Sequence, residues 1–423
     1  MSIFLTLIVL EIVIVIINLQ LFKHDILSPA TISSIMFLIA TLFALYCATY
    51  WNLILSSLTV QVIVVGLLFM TIGEFLGDKL GTIFTVKSSI KKTTLIVVSK
   101  KVKVSVTICV VIMTILYAVN AYHVGVLNGG TGVNAFAYMK SSYASNSSTR
   151  MNPIIRQGFK FIMASAYIAC FILANNYLIL KQRLKENMTY VIIIVCSIAV
   201  TIFSGSRTEI LRVISALFLD YSILLQINNK KIAVRNGLII KKIFPIVLII
   251  ILIAFLSREV VKVTGTATSQ GSSLIYYLAY YVGSPIAVLN NKIGMAFSKE
   301  NIFIGATTGV PNFVYLGNLD YGGNVGTILQ PSLFKYGLIG MAIFILIIYF
   351  FGGLLYSRIK RSLQAGHSLF ILLFSSWYYM FTMSYYDDVI SQLSFVITIL
   401  LIDVVLMIIY PLFFKKLVKE SVI

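Results

Sequence analysis

Apolar residues run along this chain in long, nearly unbroken stretches, and charged residues gather in the short gaps between them. A helix needs about 20 consecutive apolar residues to cross a bilayer. Runs of that kind predict about eleven spans, near 2–22, 29–49, 53–76, 104–123, 158–180, 188–204, 208–227, 243–257, 333–356, 366–386 and 389–413. The expected fold is all-α: a polytopic integral membrane protein, one membrane domain over residues 1–423. The first run, Ile3 to Leu21, has no Lys or Arg ahead of it and no small-residue cleavage site, so it is expected to remain as a helix.

Composition agrees with the pattern. Hydrophobic residues make up 59% of the chain, charged residues 11%, and the mean hydropathy is +0.98. Soluble domains carry about a quarter charged residues, so a soluble fold is excluded. Cys47, Cys109, Cys170 and Cys196 all fall inside apolar runs and are expected to pack as small hydrophobes.

Charge supplies orientation. Cytoplasmic loops retain Lys and Arg, and alternating the loops places about two thirds of the 33 basic residues on one face. That face holds Lys23, Lys79 to Lys103, Lys181 to Lys185, Lys230 to Lys242, Arg358 to Arg361 and Lys415 to Lys419. The amino terminus is then outside and the carboxyl terminus in the cytoplasm. The net charge of +19 arises largely from these short, aromatic-poor clusters at helix ends, so no nucleic-acid partner is expected.

Two connections on the outer face are long, 124–157 and 258–331, and loops of such length are commonly functional. The first carries Lys140, Arg150 and Arg156 with no acid, which suits an anionic ligand. In the second, the tyrosines of Leu274 to Leu289 suggest an interfacial helix at headgroup level, or one that merely covers the bundle. Gly305 to Gly326 then gathers glycines, amides and aromatic rings, the residue types of sugar-contacting loops, with Asn318, Asp320, Tyr321 and Asn324 as candidates. A set of tight turns is the plainer account of the same glycines.

Arg207 is the most informative single residue. It lies in Phe203-Ser204-Gly205-Ser206-Arg207-Thr208-Glu209-Ile210, a polar break between two apolar runs. A guanidinium at membrane depth costs roughly 2.5–3.5 kcal/mol on insertion scales and is usually kept for a substrate, ion or partner. Its alternative is a structural pair with Glu209. Arg212 stands three residues beyond Glu209, a spacing that pairs along one helix face. Arg258 and Lys262, at i and i+4, offer a second cationic pair, with headgroup anchoring as the other account. Asp387 and Asp388, in an outer turn, are candidate bases or hydroxyl binders, or simply a solvated turn. Asp220 and Asp403, inside spans, read as structural partners. Gly73, Gly77 and Gly81 repeat every four residues, as in close helix packing. His24, His123 and His367 show no metal spacing, and no metal or cofactor is expected.

The Ser-Gly-Ser-Arg-Thr-Glu break resembles a feature of the Wzy-type oligosaccharide repeat-unit polymerases. So does Gly317-Asn318-Leu319-Asp320-Tyr321-Gly322-Gly323-Asn324 ahead of Phe334-Lys335-Tyr336-Gly337-Leu338-Ile339-Gly340, in a chain of this architecture. The motif likeness covers residues 203–212 and 309–340. It implies a glycosyltransferase at the outer face of the bacterial cytoplasmic membrane, joining one undecaprenyl-diphosphate-linked glycan to the non-reducing end of another. Membrane lipids and a chain-length regulator are the further partners implied. Under this resemblance Arg207, Arg212, Arg258 and Lys262 would hold diphosphate. Arg207, Glu209, Asp320, Asp387 and Asp388 are the catalytic candidates. A polysaccharide ligase is the nearest alternative, and a flippase for the same lipid-linked glycans a more distant one.

Overall fold

The computed structural model describes residues 2–83, 98–144, 150–204, 208–228, 237, 241, 274–298, 301–306, 309–316, 322–362, 368–386, 390 and 392–414. It is a helical membrane protein. Among the described residues, eight helices are long and apolar enough to cross a membrane. They are α1 (Ser2–Leu21), α2 (Pro29–Cys47), α3 (Ser57–Ile83), α4 (Lys100–Leu127), α6 (Pro153–Leu178), α7 (Met188–Phe203, with the 3-10 turn Leu184–Asn187 ahead of it), α10 (Gln330–Ser362) and α13 (Leu393–Phe414). Among the described residues there are five further α-helical segments: α5 (Ala135–Ala144), α8 (Thr208–Asn228), α9 (Leu274–Ala296), α11 (Ser368–Trp377) and α12 (Tyr379–Thr382).

Two expected spans differ from this set, and a third is not described. The run at 208–227 forms α8, whose Glu209, Arg212 and Asp220 set it apart from the eight apolar helices. The run at 366–386 is divided at Tyr378 into α11 and α12. The Ser375 hydroxyl returns to the carbonyl of Leu372, offering that carbonyl an alternative to the helix ladder just where the helix stops. The run at 243–257 lies outside the described residues. The segment 124–157 is largely helical: α4 continues to Leu127, and the 3-10 turn Gly132–Asn134 leads into α5. α5 folds back on α4, where Gly125 and Gly130 let the Ala135 backbone approach.

The chain divides into two compact units. The first is built from residues 1–87, 265–361 and 380–396. Here Gly73, Gly77 and Gly81 of α3 lie directly against the backbone or Ser357 of α10, and a Cβ on Gly77 would strike the carbonyl of Phe350. Small residues substitute in a membrane for the hydrophobic drive that packs soluble helices, and the repeat of four keeps one face of α3 open to its neighbour. Buried polar groups join the same helices. Asn18 of α1 donates to Ser34 at 2.9 Å and accepts from Thr71 at 2.8 Å. The Glu74 carboxyl accepts the Ala30 amide in the first turn of α2, one of the donors a helix start leaves unsatisfied. Asp25 accepts from Tyr356 and Lys360 at the far end of α10. The aromatic helix α9 is buried along α2, with Gly283 against the backbone of Phe43 and Ala44.

The second unit comprises residues 88–264, 362–379 and 397–423. Its central helix is α6, where every side chain from Ile162 to Ile172 is buried. Helices α4, α7, α8 and α11 pack around it. The outward faces of α4 and α7 carry Ile108, Ile112, Ile115, Val119, Ile192 and Val195, as a surface facing hydrocarbon requires.

Candidate functional site

The described flanks of the polar break end one helix and begin the next. α7 ends at Phe203, the Ser204 amide closing on the Val200 carbonyl at 3.0 Å, and α8 begins at Thr208. Phe203 stacks on Phe136 of α5, with ring centroids 4.9 Å apart. Arg207 lies outside the described residues.

One turn into α8 the two charged candidates meet. Arg212 donates from one terminal nitrogen to both oxygens of Glu209 at 3.0 Å, and both side chains are buried. The i, i+3 spacing brings the two groups onto one helix face, where the carboxylate offsets the cost of burying the guanidinium. The guanidinium carbon also sits 5.7 Å from the ring centre of Tyr379, within cation–π range. Asp403 of α13 completes the surroundings: it accepts from Ser376 at 2.8 Å and from the Trp377 indole at 2.7 Å, and it lies within electrostatic reach of Arg212. The structural role expected of Asp403 is therefore visible in its partners. Ser376, Trp377 and Tyr379 were not legible as members of this cluster, because nothing in a run of apolar and aromatic residues marks which of them will meet Asp403, 27 and 26 positions beyond the first two, or the Arg212 guanidinium on α8.

The other polar centre is in the first unit. A short ribbon, β1 (Val314–Tyr315) against β2 (Gly322–Gly323), pairs Val314 with Gly323 and Tyr315 with Gly322. It is pinned to α9. Asn291 donates to the Tyr315 carbonyl at 2.9 Å, Lys292 to the Asn312 carbonyl at 3.2 Å, and the Tyr280 hydroxyl to the Gly322 carbonyl. Asn290, on the same turn, accepts from the Ser56 amide at 2.8 Å and from the Thr59 hydroxyl at 2.9 Å. Phe313 packs edge-on against Tyr315 and covers Gly322, where a side chain would collide with the ring. Asn324 is exposed just beyond β2. No sequence pattern marks Asn291 and Lys292 as the residues that hold this ribbon, or Asn290 as the partner of Ser56, because the groups they bond are backbone groups of other segments.

Asn318, Asp320 and Tyr321 lie outside the described residues, as do Arg258, Lys262, Asp387 and Asp388. Thus Glu209, Arg212 and Asn324 are the candidate residues whose positions are described, the first two together in one unit and the third in the other. Among the described residues no group of three or more His, Cys, Asp or Glu is placed to hold a metal ion. No family model matches the chain, and comparison with curated proteins and with solved structures gave no significant match.

Proposed function

We propose that this protein is an oligosaccharide repeat-unit polymerase of the Wzy type, an eleven-span enzyme of the bacterial cytoplasmic membrane with its amino terminus outside. The observation that carries the reading is the α7–α8 junction. A polar break holding Arg207 stands at the amino-terminal end of a helix, and the first buried turn of that helix carries a paired guanidinium and carboxylate. A helix start favours anions through its free amides and dipole, and an arginine fork can bind phosphate oxygens through two parallel hydrogen bonds.

In the proposed reaction the non-reducing-end hydroxyl of one lipid-linked repeat unit attacks the anomeric carbon of a second glycan. The new glycosidic bond forms as the bond from that carbon to the undecaprenyl diphosphate breaks. Arg207 stabilises the departing diphosphate, with Arg258 and Lys262 as further cations, and the hydroxyl proton passes to Asp320, Asp387 or Asp388. Glu209, engaged by Arg212, holds that guanidinium in place. The residues of 312–316 and 322–324 support this reading: Phe313 and Tyr315 offer stacking faces and Asn312 and Asn324 offer hydroxyl partners on a scaffold held by α9.

Analysis of surface glycan in a deletion strain tests the proposal. A single repeat unit on the lipid carrier or its acceptor is the expected result. A pool of long, uncapped chains would mean a ligase, and repeat units trapped on the cytoplasmic side would mean a flippase.

A further inference from the structure

Helix α10 marks where a membrane must lie along it. Gly337 breaks its regular geometry with φ of 70°, and from Leu338 onward an exposed apolar stripe runs through Ile339, Ile343, Ile347, Phe351 and Leu355 at intervals of four. At about 1.5 Å per residue, Leu338 to Arg358 spans about 30 Å, the thickness of a bilayer's hydrocarbon core. Basic residues Arg358 and Lys360 begin at one limit, and Lys335 with Tyr336 stands just beyond the other. Gly337 therefore sits at a hydrocarbon boundary.

A second segment is locked to that boundary through its backbone. The amide of Ala306 donates to the Phe334 carbonyl, and the amide of Leu338 to the Ile302 carbonyl, each at 2.9 Å. Gly305 has φ of 104°, and a Cβ on Gly337 would collide with the Phe303 carbonyl, so the two glycines permit a contact that no other pair would allow. Asn301 closes the turn at its base by accepting the Ser298 amide. The result is a rigid tip that points its two largest apolar side chains outward: Ile304 is 76% exposed and Phe303 52%. Water is a poor neighbour for such a tip.

We propose that Phe303 and Ile304 form a membrane anchor, inserted at the headgroup–acyl boundary of the leaflet at the Gln330 end of α10. The tip is hydrogen-bonded to α10 at residues 334 and 338, beside Ile339 where the exposed apolar stripe begins, and its own apolar side chains are exposed at that same level. Lys335, exposed and over the Tyr336 ring at 5.1 Å, supplies the cation that such a boundary places at lipid phosphates. The aromatic and basic residues match the belt that fixes helices at membrane depth. In consequence the segment that follows, from Gly309 to the β1–β2 ribbon, is tethered at the bilayer surface whatever its ligand. The anchor does not depend on the glycosyltransferase reading.

The test uses the full-length protein in vesicles of phosphatidylethanolamine and phosphatidylglycerol in equal parts. Ile304→Cys is labelled with an environment-sensitive nitrobenzoxadiazole dye, with the unsubstituted protein labelled in parallel to subtract any signal from its own cysteines. The expected result is quenching by a lipid nitroxide placed near the headgroup, more than by one at the chain end, and iodide quenching several-fold weaker than for the free dye–thiol adduct. Iodide quenching equal to that of the free adduct would place the tip in water and overturn the proposal. Protection from iodide and from both lipid quenchers would mean a covering protein surface and would overturn it equally. Phe303→Cys, read in the same way, decides the matter if the first variant does not fold.

Discussion

Replacing Arg212 with Met strips the Glu209 carboxylate of the cation that its buried position requires. Both side chains are almost inaccessible, 1% for Arg212 and 8% for Glu209, so solvent cannot take over the pairing. Removing one member of such a pair costs about 3–5 kcal/mol, because the remaining charge stays buried without compensation. Loss of the Tyr379 ring contact adds to that cost in the same direction. Glu209→Gln alone takes away the carboxylate to which one guanidinium nitrogen donates both of its 3.0 Å bonds, with Asp403 still in its electrostatic surroundings. The double variant Glu209→Gln with Arg212→Met removes both charges at once, and buried pairs replaced by neutral groups are often near neutral in stability. The thermal midpoint of detergent-solubilised protein, followed by size-exclusion chromatography after heating, should fall by several degrees in each single variant and largely recover in the double. The cycle also separates two roles for Arg212. A double variant that is stable and still elongates glycan leaves Arg212 a structural residue, whereas a stable but inactive one assigns it to the substrate. Single variants as stable as the parent, or a double variant no better than the singles, would refute the energetic argument.

Other outcomes follow from the same physical reasoning. Gly77→Leu drives a side chain into the Phe350 carbonyl of α10 and should reduce folded yield sharply, whereas Gly294→Leu, whose Cβ meets nothing within 4 Å, should not; equal yields would contradict the close-packing account. Asn291→Ala removes the bond to the Tyr315 carbonyl, worth about 1 kcal/mol, and should speed amide hydrogen exchange at residues 314 and 315 while leaving α9 unchanged. In a purified assay, chelator should leave glycan elongation intact, and its loss would revive a metal-dependent mechanism. Arg207→Lys should rescue poorly compared with Arg207, since a point charge cannot reproduce a bidentate fork; parental elongation with Lys would mean that charge alone suffices.

The helices were legible where apolar runs were long and pure, as in α1, α3, α10 and α13. The glycine repeat of α3 was also legible, because its period places every member on one face. The Glu209–Arg212 pair could be read from spacing alone. Less visible was α9: its tyrosines, Ser284, Asn290 and Asn291 dilute the apolar signal, which left open an interfacial helix or one that covers the bundle. In the structure Tyr276 accepts from the Trp51 indole and Asn290 accepts from Ser56 and Thr59, partners more than 200 positions away that no local pattern can announce, while Asn291 and Tyr280 bond to backbone carbonyls of the β1–β2 ribbon. The division of 366–386 at Tyr378 was hidden for a related reason. The groups that bond around it are hydroxyls and an indole inside an apolar run, and an acid on another helix.

The central claim is chemical, and one reconstitution tests it most directly. Purified protein in vesicles is given a lipid-linked repeat unit as the sole glycan, and products are separated by size. The account predicts a ladder of lipid-linked oligomers with release of undecaprenyl diphosphate from the wild type, and only the starting unit from an equal amount of folded Arg207→Ala. A full ladder from Arg207→Ala, or wild-type transfer only to a different lipid acceptor, would contradict it.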